Sequence, residues 1–331
     1  LGATLTVLKT SANHNNRIGT PLTLLQLSSR TQAAVIEIGT NEPGEIAVLS
    51  AMVEPTHALI TNIGEEHLEK LRDLDGVERE ETALFQWARE YGATMLVNND
   101  DERLRSYAMY HKAVSYAADH DAHLRCTLSF NSKLMPCVTV RDEDREHSAQ
   151  LNVTGYAGGL NAVAAVAAAH AVGVPISKAL SVCATFQPQA SHGYARMVVQ
   201  QFETKTVLND CYNANPASMR MALQTLASYP AQTRRVAVLG DMRELGASEH
   251  EMHCEILRYA EQRCDVIIAV GQAMMGAADE VPSSRRILYA TTDECCNALA
   301  ETLRDGDVVL VKASRGMTFE KIIQTLSAQI R

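Results

Sequence analysis

The sequence lacks several patterns that define common functional classes. It has no basic excess: its 331 residues carry a formal net charge of −9, which argues against binding nucleic acid through the phosphates. The most apolar stretch, 160–174, is too short to cross a membrane and is interrupted by Asn161 and His170. No signal peptide is visible. We therefore expect a protein that binds neither nucleic acid nor membranes. We also expect it to be cytoplasmic and monomeric.

The eight cysteines lack the spacing of a metal or redox motif. No C-x-x-C occurs, and the adjacent Cys295 and Cys296 suit neither a normal disulfide nor a zinc knuckle. We expect free thiols in a reducing cytosol. No G-x-G-x-x-G follows a strand, which argues against a nicotinamide dehydrogenase.

Short apolar stretches alternate with helical patterns, which predicts an α/β protein with parallel sheets. The length allows two domains. In the first part, strands are predicted at 33–39, 57–64 and 93–100, pieces of a small antiparallel patch at 124–130, 136–141 and 148–154, and helices at 44–52, 76–91, 160–172 and 176–185.

The pattern breaks at 186–194, and we place the boundary there, between a domain of residues 1–187 and one of residues 188–331. The second domain has the pattern of a doubly wound, Rossmann-like fold. Its strands are predicted at 197–202, 205–210, 234–240, 265–271, 286–290 and 307–313, with helices at 217–228, 248–263, 292–304 and 317–330.

Polar residues follow several predicted strands, at the edge where open α/β sheets bind their ligands. Glu37 lies at one such end and His67 after the next, and together they form a candidate Mg²⁺ pair, although carboxylates suit this ion better than imidazole. A lone polar residue after a strand is commonly a helix cap or turn former, an alternative that stays open for Ser218 and Asp241. Several such ends in one chain favour a ligand site.

Six stretches resemble the Mur ligases of peptidoglycan synthesis and occur in family order. They are "NHNNRIGTPLTLL" (13–25), "VIEIGTNEPGEIAVL" (35–49), "ITNIGEEHLE" (60–69), "DCYNANPASM" (210–219), "LGDMRELG" (239–246) and "VKASRGM" (311–317). "YNANP" followed by "LGDMRELG" resembles the branch that adds D-alanyl-D-alanine. The resemblance implies a central ATP-binding domain followed by the Rossmann-like domain.

The resemblance also implies a reaction and roles for residues. ATP would phosphorylate the terminal carboxylate of UDP-N-acetylmuramoyl-tripeptide, and the amine of D-alanyl-D-alanine would attack the acyl phosphate, with Mg²⁺ neutralising charge. The implied catalytic and metal-binding residues are Glu37, His67 and Glu81. Those implied for the nucleotide are Asn161, Arg196, Asp210 and Tyr212, and those for the dipeptide and phosphates are Asn16, Asn213, Asn215, Asp241, Lys312, Ser314 and Arg315.

The family's phosphate loop, G-x-x-G-K-[ST], does not occur in this sequence. In the family it precedes the "NHNN" motif closely, so the chain looks cut from a longer one. The amino-terminal domain that grips the UDP-sugar in the family is missing as well. Without the loop's cradle for the phosphates we expect little or no turnover from these residues alone, and aggregation through exposed apolar sheet surface.

Two further positions depart from the family. Glu81 stands where the family usually has a carbamylated lysine; it is either a stand-in carboxylate on the inward face with Val77 and Phe85, or one more acidic residue favoured by the helix dipole. The family's G-x-H-N-x-x-N reads "GYAGGLN" (155–161), so only Asn161 remains of that adenine contact.

Two alternatives to this ligase stay open. The departures at Glu81 and 157–158 favour a non-catalytic, Mur-ligase-like binding protein. A sister Mur ligase with another amino-acid substrate is the other alternative, and "YNANPASM" and "LGDMRELG" argue against it.

Overall fold

The computed structural model describes residues 1–142, 145–188, 195–230 and 234–328. The chain forms two compact units: the first comprises 1–129, 137–151 and 159–185, and the second comprises 130–136, 152–158 and 186–331. From residue 186 onward the whole chain belongs to the second unit. This is close to the domain boundary expected between 187 and 188, which stays a prediction. Part of the expected boundary segment, 189–194, lies outside the described residues.

The first part of the chain alternates strands and helices. Its strands are β1 (Val7–Lys9), β2 (Ala33–Val35), β3 (His57–Ile60), β4 (Thr94–Asn98), β5 (Ala113–Ala117), β6 (Leu124–Phe130), β7 (Pro136–Asp142) and β8 (Arg145–Gln150). Its helices are α1 (Gly19–Leu24), α2 (Glu45–Val53), α3 (Leu68–Leu71), α4 (Leu74–Glu81), α5 (Ala83–Tyr91), α6 (Gly155–Ala171) and α7 (Ile176–Thr185), with a 3₁₀ turn at Arg105–Met109.

These strands form two sheets. One has six strands in the order β3-β4-β5-β6-β7-β8, and the other is the parallel pair β1–β2. Strands β3 to β6 run parallel, and β7 and β8 pair antiparallel. The expected antiparallel patch is therefore confirmed only for β7 and β8, because β6 joins β5 in parallel.

Strand β5 was missed in the sequence because polar and aromatic residues interrupt its apolar pattern. Ser115 and Tyr116 are both buried, and the Ser115 hydroxyl lies 2.9 Å from His123 Nδ1, which satisfies it inside the unit. The helix expected at 76–91 is also divided, since α4 ends and α5 begins at Thr82. The Thr82 hydroxyl donates to Glu78 O at 2.6 Å at this break.

The second unit carries the other six-stranded sheet. Its strands are β9 (Val198–Phe202), β10 (Lys205–Asn209), β11 (Arg235–Gly240), β12 (Val266–Val270), β13 (Arg286–Tyr289) and β14 (Val308–Lys312). Its helices are α8 (Pro216–Ser228), α9 (Glu249–Glu261), α10 (Gln272–Glu280), α11 (Thr292–Thr302) and α12 (Glu320–Ala328), with 3₁₀ turns at Gly246–Ser248 and Arg315–Met317.

The strand order is β13-β12-β11-β14-β10-β9, with every neighbouring pair parallel except β10–β9. The central strands are apolar runs, and Val207, Val238 and Val309 are fully buried, as expected for parallel strands covered on both faces. Each strand expected here is present. Helix α10 was missed, because its short sequence "QAMMGAADE" includes a glycine and has a weak helical pattern.

No helix in the described ranges is long and apolar enough to cross a membrane. All eight cysteines are free thiols. Large apolar side chains are exposed on and beside α1, where Ile18 is 74% exposed and Leu25 is 81% exposed. This surface agrees with the expected aggregation, which stays a prediction.

Candidate functional site

In the first unit, Glu37 lies just beyond the end of β2 and is exposed. Its carboxylate accepts a hydrogen bond from Asn15 Nδ2 at 2.9 Å, and its backbone N–H donates to Thr10 Oγ1 at 2.9 Å. The neighbouring Asn16 has a different contact: its side-chain oxygen accepts from the N–H groups of Ile18 and Gly19 at the start of α1. Asn15 therefore orients Glu37, and the substrate role of Asn16 stays a prediction.

Glu81 lies at the end of α4 and is partly buried. Burial, followed by the negative charges of Glu66 and Glu80, raises the pKa of its carboxyl to about 7. Burial likewise raises the pKa of Glu66, with the charge of His67 opposing. Two neighbouring carboxylates thus destabilise the charged form of Glu81, an arrangement that a cation relieves.

The three expected metal ligands are not gathered into one preformed site. Within the described residues, the set of three His, Cys, Asp or Glu ligand atoms that lie within 4.8 Å of one another does not include Glu37, His67 or Glu81. His67 precedes α3 in a left-handed conformation with φ of 52°. The metal-binding role of these residues stays a prediction.

Glu80, which the sequence analysis passed over, organises the loop after β2. Its buried carboxylate accepts hydrogen bonds from Thr40 Oγ1 at 3.2 Å, Gly44 N at 2.6 Å and Ile46 N at 2.8 Å. These donors include backbone N–H groups at the start of α2, which a carboxylate stabilises. Its burial could have been predicted, because it follows the buried Val77 by three residues and so lies on the same helix face.

Asn161 lies on α6 and is exposed. The departure at Gly158 has a steric reason: a Cβ atom there would lie 2.9 Å from Val153 Cγ2, so a larger side chain does not fit without a shift. The expected adenine contact of Asn161 stays a prediction.

In the second unit, Lys312 is 2% exposed at the end of β14. Its Nζ atom donates to Asp210 Oδ2 at 2.7 Å and to Asn213 O at 2.9 Å. The other carboxylate oxygen of Asp210 accepts from Met197 N at 2.9 Å. Lys312 and Asp210 therefore fix the ends of β14 and β10 and the segment before β9.

Ser314 connects three strand-end loops. Its hydroxyl donates to Ala214 O at 3.2 Å and accepts from Arg243 N at 2.9 Å, and its backbone N–H donates to Asp241 O at 3.2 Å. The side chains of Ser314 and Lys312 therefore both make hydrogen bonds within the unit. A positioning role explains both residues, and direct substrate contact stays a prediction for them.

Asp241 and Asn215 both serve helix starts. Asp241 Oδ1 accepts from Met274 N at 2.9 Å in the first turn of α10. Gly271 stands beside it with φ of 113°, and a Cβ there would lie 2.3 Å from Asp241 Oδ2, so only glycine fits. Asn215 caps α8 in a capping box with Ser218, whose N–H donates to Asn215 Oδ1 at 2.8 Å.

His253 is a second residue that the sequence did not single out, and its side chain contacts the loop after β11. The residue is fully buried. Its Nε2 atom accepts from Met242 N at 2.9 Å, so its Nδ1–H donates to Glu249 O at 2.7 Å. A histidine within a helical pattern carries no signal of this contact, because the partner loop is defined only by the fold.

Tyr212 lies between two arginines. The guanidinium carbon of Arg196 is 4.5 Å from the ring centroid, and that of Arg315 is 5.0 Å from it. Both arginines are exposed, and Asn213 beside them is exposed as well. A guanidinium group stacked on an aromatic ring keeps its positive charge, which attracts phosphate and carboxylate groups. The structure thus brings three of the expected ligand-binding residues together.

Comparison with known proteins identifies the family. A family model described as the Mur ligase middle domain matches residues 1–169, and one described as "Mur ligase, glutamate ligase domain" matches residues 195–315. The UDP-N-acetylmuramoyl-tripeptide–D-alanyl-D-alanine ligase of Bacillus subtilis is 29% identical over 331 residues, covering 98% of this chain and 71% of that protein. Its namesake in Escherichia coli is 29% identical over 329 residues, covering 96% and 70%.

Solved structures agree with this and confirm the α/β fold class. MurF from Acinetobacter baumannii matches with a TM-score of 0.87 and 28% identity, covering 99% of this chain and 72% of that one. The MurF ligase from Thermotoga maritima, in complex with ADP, matches with a TM-score of 0.86 and 22% identity, covering 100% and 75%. The expected family is confirmed, and the chain belongs to the Mur ligases.

Proposed function

We propose that this protein catalyses the ATP-dependent addition of D-alanyl-D-alanine to UDP-N-acetylmuramoyl-tripeptide, a step of peptidoglycan precursor synthesis. The observation that carries the proposal is the match to ligases of that name over 96–98% of the chain. The motifs "YNANP" and "LGDMRELG" support the same branch.

The reaction proceeds in two steps. The terminal carboxylate of the peptide attacks the γ-phosphorus of ATP, which gives an acyl phosphate and ADP. The amine of D-alanyl-D-alanine then adds to the acyl carbon, and phosphate leaves from the tetrahedral intermediate as the amide forms. Such a reaction depends on positioning and on neutralising negative charge rather than on a protein nucleophile.

The second unit is suited to hold anionic groups. Arg196 and Arg315, stacked on Tyr212, place two positive charges beside one ring, where they attract phosphate or carboxylate groups. Lys312 and Ser314 hold the loop that carries Tyr212 and Asn213. Their contribution is therefore to keep the Tyr212 ring, on which the arginines stack, in place. ATP as the nucleotide is supported by the fold neighbour solved in complex with ADP.

The first unit is chemically suited to hold magnesium. Glu66 and Glu81 have carboxyl pKa values raised by burial, and the charge of Glu66 adds to the rise at Glu81, so a divalent cation would relieve their repulsion. Glu37 and Glu81 would supply oxygen ligands and His67 an imidazole nitrogen. When bound, Mg²⁺ supplies positive charge beside the transferred phosphoryl group.

The proposal includes a monomeric protein in the cytoplasm. The free thiols of all eight cysteines fit a reducing compartment. Size-exclusion chromatography with light scattering tests the monomer, and a dimer mass in dilute buffer would contradict it.

Activity is tested with the natural gene product that contains this chain. We expect ADP release only when ATP, UDP-N-acetylmuramoyl-tripeptide and D-alanyl-D-alanine are all present, with a product heavier than the nucleotide peptide by one dehydrated dipeptide. Removal of D-alanyl-D-alanine alone is the control. ATP binding without product formation in any combination of the three substrates would contradict the proposal.

The alternative is a non-catalytic, Mur-ligase-like binding protein. It is favoured by Glu81 in place of the family's lysine and by Gly158, where a side chain would require Val153 to shift. Binding of the nucleotide peptide without ADP release in the same assay would establish this alternative.

A further inference from the structure

A cluster of metal-ligating side chains lies in the second unit, outside the residues assigned to the ligase reaction. His250 and Cys254 are one turn apart on α9, and Glu280 is the last residue of α10. Within the described residues, this is the trio whose ligand atoms all lie within 4.8 Å of one another. Cys254 is 2% exposed, whereas His250 and Glu280 are exposed, so the cluster has a buried sulfur and an open side.

The distances in the cluster are close to those of a tetrahedral site. His250 Nε2 lies 2.9 Å from Glu280 Oε1 and 3.7 Å from Cys254 Sγ. With metal–nitrogen and metal–oxygen bonds of about 2.0 Å and a metal–sulfur bond of about 2.3 Å, tetrahedral ligands are about 3.3–3.6 Å apart. Both measured separations are within about half an ångström of that range.

The two helices that carry the ligands are held together next to the cluster. Arg286, whose side chain is 4% exposed, donates to Glu261 Oε1 on α9 at 2.8 Å and to Val281 O just after α10 at 2.6 Å. Glu261 also accepts from Ser283 Oγ at 2.8 Å. These contacts hold the end of α9 beside the end of α10 that carries Glu280, which limits the movement of one helix against the other as a preorganised metal site requires.

The helix dipoles argue against a simple ion pair at this place. Glu280 and Asp279 lie in the last turn of α10, where negative charge is unfavourable, and His250 lies in the first turn of α9, where positive charge is unfavourable. A protonated His250 paired with Glu280 puts both charges at the wrong helix ends. A neutral imidazole and a carboxylate that share a bound cation avoid the charged imidazole and neutralise Glu280.

We propose that His250, Cys254 and Glu280 bind a divalent ion of the zinc class, with water as the fourth ligand. The set of nitrogen, sulfur and oxygen donors suits Zn²⁺ and its spectroscopic substitute Co²⁺, and it disfavours Mg²⁺, which prefers oxygen ligands. On binding, the Cys254 thiol releases its proton to solvent and the ion links α9 to α10. This ion is separate from the magnesium of the ligase reaction.

Cobalt titration of the whole chain tests the site. We expect one equivalent of Co²⁺ to give a thiolate-to-cobalt charge-transfer band in the near ultraviolet and the visible bands of tetrahedral Co²⁺, unaffected by excess Mg²⁺. Cys254→Ala should abolish the charge-transfer band. Cys183→Ala, which removes a half-buried thiol of the first unit, is the control and should leave the spectrum unchanged.

A second pair of variants protects the test against a folding defect of Cys254→Ala. His250→Ala and Glu280→Gln change exposed side chains, and each should weaken Co²⁺ binding by about tenfold or more. Zn²⁺ should raise the Tm of the wild type and have little effect on Glu280→Gln. No charge-transfer band in the wild type, the same band in Cys254→Ala, or unchanged affinity in His250→Ala and Glu280→Gln would each overturn the site.

Discussion

Lys312 Nζ lies 2.7 Å from Asp210 Oδ2, and the two side chains are 3% and 13% exposed. This buried ion pair joins the ends of two neighbouring parallel strands, β10 and β14. Its lysine also holds Asn213 O, so the loop after β10 and the end of β14 share one charged group.

Lys312→Met should destabilise the second unit strongly. It leaves Asp210 partly buried without its counter-ion, a change that typically costs about 3–5 kcal/mol. Urea unfolding followed by circular dichroism measures the loss. The control is Lys321→Met, whose pair with Asp293 is 47% and 71% exposed and is screened by solvent, so its loss should change stability far less. Equal losses in the two variants would contradict the role given to Lys312.

Gly271→Ala should lower the free energy of unfolding by about 2 kcal/mol or more. The backbone has φ of 113°, and the added Cβ would lie 2.3 Å from Asp241 Oδ2. Gly276→Ala, within α10, is the matched control: it meets nothing within 4 Å and should raise stability by about 0.5–1 kcal/mol. Thermal melts of both variants check the pair, and a stable Gly271→Ala would show that Asp241 moves freely.

Glu80→Ala should loosen the loop at 40–46. It leaves the N–H groups of Gly44 and Ile46 without their acceptor, and the one on Ile46 is buried; an unsatisfied buried donor typically costs about 1–3 kcal/mol. We expect faster protease cleavage in this loop and a lower urea midpoint. Glu90→Ala, an exposed position on α5, is the control and should change neither. Wild-type cleavage rates in Glu80→Ala would contradict the role given to the Glu80 carboxylate.

Glu81 should make stability depend on pH in the absence of metal. Its folded-state pKa is about 7, raised from 4.5 chiefly by burial, so the folded protein holds this proton more tightly than the unfolded chain. Its stabilising contribution is therefore full below about pH 4.5 and is lost as the pH rises to about 7. Glu81→Gln should flatten this part of the curve and raise stability at pH 8 by about 1–3 kcal/mol. Urea unfolding in EDTA at several pH values measures it, and an unchanged curve would contradict the shift.

The same substitution should have the opposite effect on activity. Glu81→Gln removes the charge proposed to face Mg²⁺, so turnover of the natural gene product should fall and require more Mg²⁺. The Mg²⁺ dependence of ADP release measures this. Glu90→Gln is the control, since its side chain is exposed on α5. Unchanged turnover in Glu81→Gln would make Glu81 an ordinary residue of the helix.

The central strands of the second unit could be predicted because they are short, nearly continuous apolar runs, as in "VIIAV" of β12. The site was predictable only as a list of polar strand ends. Its connections were not: Lys312 and Asp210 are 102 residues apart, and Glu80 contacts Gly44 across 36 residues. Such pairings follow from the three-dimensional arrangement of the strands and loops, on which local pattern carries no information.

The contacts of Ser314 have a consequence for sequence change in this family. One hydroxyl group and one N–H group connect the loops at 210–216, 241–246 and 313–317. Substitutions in these loops are therefore expected to show epistasis, because the shift that one loop needs is limited by the other two. Replacing one of these loops with that of a relative should therefore preserve the fold only if the other two loops are replaced from the same relative.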